Sequence, residues 1–197
     1  MASEAEYLEI GLQAVAEPEA VRAALDAALS PGLDVLEVVV AGPGSLADRI
    51  DASRWRIELP GVSPERLAEA VAAFVAAEEI LVERMTKQGR RRFDTRAAVA
   101  SIGVGDPTGE PDATNAPRYA ILDLVVRQVT PSVRPDDVLA GLLVVSDLQT
   151  PVPPRATRLA QGRLTVRGEI VDPLTDDGPV EDSEAVTDGA FIGGPSE

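Results

Sequence analysis

The chain has 197 residues, 45% of them hydrophobic but only 3% aromatic, so its core must be built from Leu, Val, Ile and Ala. It contains no cysteine and no histidine, which excludes disulfides, thiolate metal sites, iron–sulfur ligation and any His-activated nucleophile. The formal charge of −15 is uneven: nine carboxylates and no base follow Arg167, leaving −6 for the body before it.

The acidic start lacks the basic and apolar regions of a signal peptide, and the longest apolar runs (70–77 and 138–145) are far too short to cross a membrane. A soluble, cytoplasmic protein with no membrane partner is expected. Residues 7–12 alternate, with Leu8, Ile10 and Leu12 on one face, which predicts a half-buried strand. Val21, Ala24, Leu25, Ala28 and Leu29 then form one helical stripe, stopped by Pro31-Gly32. Residues 34–40 read as a β-branched strand, and 45–50 as a short helical turn.

A second unit follows. Trp55, Ile57 and Leu59 alternate with Arg54, Arg56 and Glu58, which puts Trp55 in the core. Ser63 caps a helix whose stripe is Leu67, Ala70, Val71, Phe74 and Val75. Residues 80–86 leave it as a strand, Gln88-Gly89 turns into a strand over 90–93, and Asp94 or Thr95 caps a short helix running to Ile102. The Gly- and Pro-rich stretch 103–117 has the composition of a loop. A third unit runs from a strand over 119–129 to a helix from Pro135 with Val138, Leu139, Leu142 and Leu143 buried. Pro151, Pro153 and Pro154 make an extended link to a last strand over 157–167.

Three helices open in the same way, at Glu17-Pro18-Glu19, Ser63-Pro64-Glu65 and Arg134-Pro135-Asp136. Proline suits the first helical position, and a carboxylate in the first turn complements the helix dipole. Short strands alternating with helices of about three turns predict an α+β fold of split β-α-β, ferredoxin-like modules. The expected division is an incomplete β-α-β module over 1–50, a ferredoxin-like module over 51–167 with a loop insertion at 103–117, and a disordered acidic tail over 168–197.

The basic stretch 84–96 is the candidate for function. Arg84, Lys87, Arg90, Arg91, Arg92 and Arg96 stand against one acid, Asp94, a local balance of +5 in an anionic protein. On a hairpin, alternating arginines would share a side and grip phosphate or another anion. Lys87, Arg90, Arg91, Arg92 and Arg96 are therefore the anion-binding candidates. The competing reading is a solvated turn whose arginines satisfy Glu78, Glu79 and Glu83. Asp94 has an ordinary reading as a helix cap with Arg96 on the exposed face, and Asp136 and Asp137 as first-turn carboxylates. The glycines of 103–109 lack the spacing of a nucleotide loop, and Asp176-Asp177-Gly178 misses the calcium-loop pattern. No catalytic residue, metal site or cofactor is expected.

Several of these segments together resemble a known family. They are Glu4-Ala5-Glu6-Tyr7-Leu8-Glu9-Ile10, the helix from Pro18, Leu33-Asp34-Val35-Leu36, and Lys87-Gln88-Gly89 leading to Arg92-Phe93-Asp94-Thr95-Arg96. Arg134-Pro135-Asp136-Asp137-Val138-Leu139 completes the set. The chain resembles a bacterial radical SAM-linked domain of unknown function over about residues 4–165. Members of that family usually carry a further N-terminal stretch with basic residues and a Ser-His-x-Asp-like segment. Here it is missing, so the resemblance implies either a start further upstream or a shortened variant. It also implies an accessory to a B12-type radical SAM protein, with no catalytic residue to carry over. The leading expectation is thus a noncatalytic accessory or binding module that positions an anionic substrate for a radical SAM protein. The alternative is an RNA-binding protein in tRNA or ribosome maturation, against which the −6 body counts.

Overall fold

The computed structural model describes residues 2–86, 89–106 and 119–175. Chain order is β1 (Ala2–Ser3), α1 (Pro18–Ala28), a 3-10 turn (Leu46–Arg49), β2 (Ala52–Pro60), α2 (Pro64–Ala76), β3 (Leu81–Thr86) and β4 (Gly89–Asp94). It continues with α3 (Thr95–Ala98), β5 (Val99–Gly105), β6 (Tyr119–Arg127), α4 (Pro135–Ser146), β7 (Arg155–Leu164) and β8 (Ile170–Val171). The three Pro-acid openings each start a helix, with Pro18, Pro64 and Pro135 as the first helical residues. At α2 the Ser63 hydroxyl accepts from the Arg66 N–H, satisfying a donor that has no partner inside the helix.

The fold is α+β, with one mixed sheet in the order β1-β7-β2-β6-β5, β8 pairing with β7, and a separate two-stranded sheet made by β3 and β4. The pairs β2–β6, β2–β7 and β5–β6 are antiparallel, and β1 joins β7 in parallel. Along β2 the predicted alternation buries Trp55, Ile57 and Leu59, and opposite them β6 contributes Leu124, Leu122 and Ala120. Leu67, Ala70 and Phe74 of α2 and Val138 and Leu142 of α4 close that face. Each fully buried large side chain there contributes roughly 1.5–3 kcal/mol. No helix among the described residues is long and apolar enough to cross a membrane.

The structure differs from the sequence reading in three segments, and Val75 and Leu143, expected in the helical stripes, are exposed. The helix capped by Asp94 ends at Ala98, and 99–105, read as helix end and loop, is the edge strand β5 beside β6. Strands β3 and β4 therefore stand apart as a hairpin instead of supplying the main sheet. Gly105 suits β5 because a Cβ there would meet the Asp123 carboxylate at 2.7 Å.

Residues 7–12 and 34–40 form no strand. For 7–12 the reason lies at the β7 edge that the chain runs beside. The outer edge of β7 is taken at Thr157 and Arg158 by β1, and at Arg163 and Leu164 by β8. The chain following β1 thus meets an edge already occupied. The third difference lies in β8 itself, which falls within the segment expected to be a disordered tail. Its first residues fold back on β7, and Pro173 is fully buried. The expectation for 176–197 lies outside the described residues, as does that for 107–117.

Candidate functional site

The β3–β4 hairpin carries the basic stretch. Its register pairs Glu83 with Arg92, Arg84 with Arg91 and Met85 with Arg90. Side chains alternate across a strand, so Arg90 and Arg92 share the face of Glu83, whereas Arg91 lies on the face of Arg84 and Phe93. The three consecutive arginines are thus divided between two faces.

The Glu83 carboxylate serves both arginines on its face, with Arg90 Nη1 at 3.3 Å and Arg92 Nε at 4.0 Å. Both pairs sit in solvent, the arginine side chains being 70% and 64% exposed, and such pairs hold their partners weakly. The Arg91 side chain is also exposed. Lys87 lies outside the described residues.

Arg84 is committed elsewhere. Its guanidinium donates to the Asp137 carboxylate and to the Ser132 carbonyl, and lies 4.5 Å from the centre of the Phe93 ring. It fastens the hairpin to the start of α4.

Arg96 occupies α3, not the hairpin. The Asp94 carboxylate accepts from the Arg96 N–H at 2.9 Å and from the Ile80 N–H at 3.1 Å, which caps α3 and ties it to the root of β3. The Arg96 side chain is half-buried, and its Nε finds no hydrogen-bond acceptor among the described residues. Beside it, Arg92, Phe93, Asp94, Ala97 and Ala98 line a shallow cleft of about 240 Å³ closed by Val129, Thr130, Pro131 and Val133. The contribution of the 129–133 loop carries no local sequence signal, because it comes from the far side of β6.

A second cleft, about 480 Å³, lies beside the 3-10 turn and includes Asp48, Arg49 and Arg163. Its charged groups are already engaged, Asp51 by accepting from the Leu164 N–H. Asp48 accepts from the Ser45 hydroxyl at 2.8 Å and from its N–H at 3.2 Å, which holds its carboxyl below the usual carboxylate range. Arg49 donates to the carbonyls of Pro43 and Pro173. Among the described residues no group of three or more acidic side chains is placed to hold a metal ion.

Residues 1–135 match the family described as uncharacterized protein conserved in bacteria (DUF2344). The chain belongs to that family. The match takes in the DUF2344 chain's hairpin, Arg96 and the whole region before β2, and it stops as α4 begins. No curated protein and no solved structure matches this DUF2344 chain.

Proposed function

We propose that this chain is a noncatalytic accessory module that works with a radical SAM protein in the cytoplasm and positions an anionic substrate. The link to that enzyme rests on the resemblance of residues 4–10, 87–96 and 134–139 to radical SAM-linked domains. The want of catalytic groups in the sequence and of a metal cluster among the described residues is consistent with a noncatalytic role.

The observation that carries the anion-contacting part is the run Arg90–Arg92. Two of its members share the single carboxylate of Glu83 through solvent-exposed pairs. An incoming phosphate, which accepts paired N–H bonds from a guanidinium, competes with Glu83 for arginines that it holds only through long, solvent-exposed contacts. Arg92 borders the 240 Å³ cleft, with Arg96 and Lys87 as further members of the group.

The module itself we read as ferredoxin-like over residues 51–167, with residues 1–50 before it joined to its sheet through β1, and an acidic segment from 168 whose first residues pair with β7. The order β7-β2-β6-β5, with α2 following β2 and α4 following β6, supports that reading, with the hairpin as an insertion between α2 and β5.

The test replaces Arg90, Arg91 and Arg92 together with serine and measures binding of inorganic pyrophosphate and of a short RNA. The expected result is salt-sensitive binding by the native chain that falls about tenfold or more in the variant, a loss of about 1.4 kcal/mol or more. Unchanged binding removes the arginines from the site. A steep salt slope confined to RNA moves the chain to the RNA-binding class. Among the described residues the sheet does not favour stacking of single-stranded bases, since it holds Tyr119 and the buried Trp55 as its aromatic residues.

A further inference from the structure

Helices α2 and α4 each bury apolar side chains, but α1, of similar length and more strongly amphipathic sequence, buries no residue at all. Val21 and Leu25 are half-buried, and Ala24, Ala28 and Leu29 face solvent. The segments on either side of α1 add to that surface. Leu8, Leu36 and Val40 are 82%, 85% and 80% exposed, and Leu12 and Leu33 are also exposed. Of the seventeen large hydrophobic side chains exposed among the described residues, nine fall between positions 8 and 40. Scattered exposed leucines are ordinary, but such a concentration marks an interaction surface.

The surface is held in place. Arg22 of α1 donates to the Val35 carbonyl, and Asp26 accepts from the Val35 N–H, which fastens the segment after the helix to its side. Glu9 accepts from the Leu46 N–H and fastens the segment before it. Interspersed with the apolar groups along the sequence are the exposed carboxylates of Glu9, Glu17, Glu19, Asp26, Asp34 and Glu37. Residues 1–50 hold nine acids and only two bases, Arg22 and Arg49, and Arg22 is bound by Glu19 at 2.7 Å.

That acidity selects the occupant. A two-fold dimer through this face would set like charge against like, and an anionic membrane would be repelled. We propose that α1 and its flanking segments form a docking surface for a protein whose contact patch is apolar and ringed by Lys and Arg. The proposal rests on the accessory reading only in calling for a partner, and it uses none of the hairpin arginines.

The test uses the full chain and a fluorescent Leu–Lys amphipathic peptide of about 18 residues, roughly 27 Å as a helix. A Leu–Glu peptide and a Lys–Ser peptide of the same length are the controls, followed by fluorescence anisotropy. The Leu–Lys peptide is expected to bind at least about tenfold tighter than either control. The combined variant Leu8→Ser, Leu36→Ser, Val40→Ser, whose side chains are all exposed, should lose that preference while keeping the native circular dichroism. The serine variant of Arg90–Arg92 should retain it, so that failure here and failure of the anion-binding reading are separable. Equal binding of the Lys–Ser peptide, or unchanged binding by the apolar variant, overturns the proposal. So does a native dimer that the apolar variant dissociates, because the occupant is then a second copy.

Discussion

Asp137 is the most consequential single charge in the described structure. It is 5% exposed, accepts from the Arg134 N–H at 2.8 Å, and is paired with Arg84. Removing it leaves a partly buried guanidinium without its anion and a helix start without its acceptor. Asp137→Ala should therefore cost about 3 kcal/mol in urea unfolding. Gly141 makes the complementary point about packing. A Cβ there would meet Thr95 Oγ1 at 2.8 Å and Phe74 Cε2 at 3.1 Å, and both side chains are fully buried. Gly141→Ala should destabilise by about 1 kcal/mol, overpacking outweighing the gain in helix propensity.

Tyr7 supplies the pH dependence. Burial first, then the charge of Asp172, pushes its phenol above the ordinary value of 10. A raised folded-state pKa means that the fold favours the neutral phenol. This contribution is complete below pH 10 and is lost as pH rises through the folded value. The ultraviolet absorbance of tyrosinate in a Tyr119→Phe background should show Tyr7 ionising above pH 10, and Asp172→Asn should move it back down. At this scale the sequence identified the caps Ser63 and Asp94 and the burial of Trp55, because each depends on near neighbours or on alternation along its own strand. It did not identify the role of Arg84, whose partner Asp137 is 53 positions away.

Among the elements, the helices were the most legible. Proline at the first position, an acid in the first turn and a stripe at helical spacing all agree at Pro18, Pro64 and Pro135. Ser63→Ala should cost about 1 kcal/mol, measured as a shift in the denaturation midpoint, because Arg66 N–H then loses its acceptor. Strands were legible only where an edge awaited them. Trp55, Ile57 and Leu59 alternate and are enclosed between β6 and β7. Leu8, Ile10 and Leu12 alternate as cleanly but follow a two-residue strand whose neighbouring edge is already paired. β5 was hidden for the opposite reason. Gly103 and Gly105 have the composition of a loop, and a glycine at 105 fits the closeness of Asp123 and Ile121 on β6. Of the candidate site, the exposure of Arg90, Arg91 and Arg92 was legible, but their division between two faces follows from a hairpin register that spacing alone does not set.

The whole molecule keeps its two candidate surfaces on different parts of the chain. The arginines lie on the hairpin between α2 and β5, and the exposed apolar and acidic residues of the α1 region precede β2. Opposite charges on one chain suit the two proposed tasks, contact with an anion and attachment to a basic partner. The net charge of −15 obscures this arrangement, since it sums a basic hairpin, an acidic first unit and nine carboxylates after Arg167. The measurement that bears most directly on the account is affinity capture by the full chain from native lysate, with and without ribonuclease. A radical SAM protein that stays bound after ribonuclease treatment is the predicted result. Recovery of RNA, or of partners that depart when the RNA is digested, would contradict the accessory role and place the protein among RNA binders.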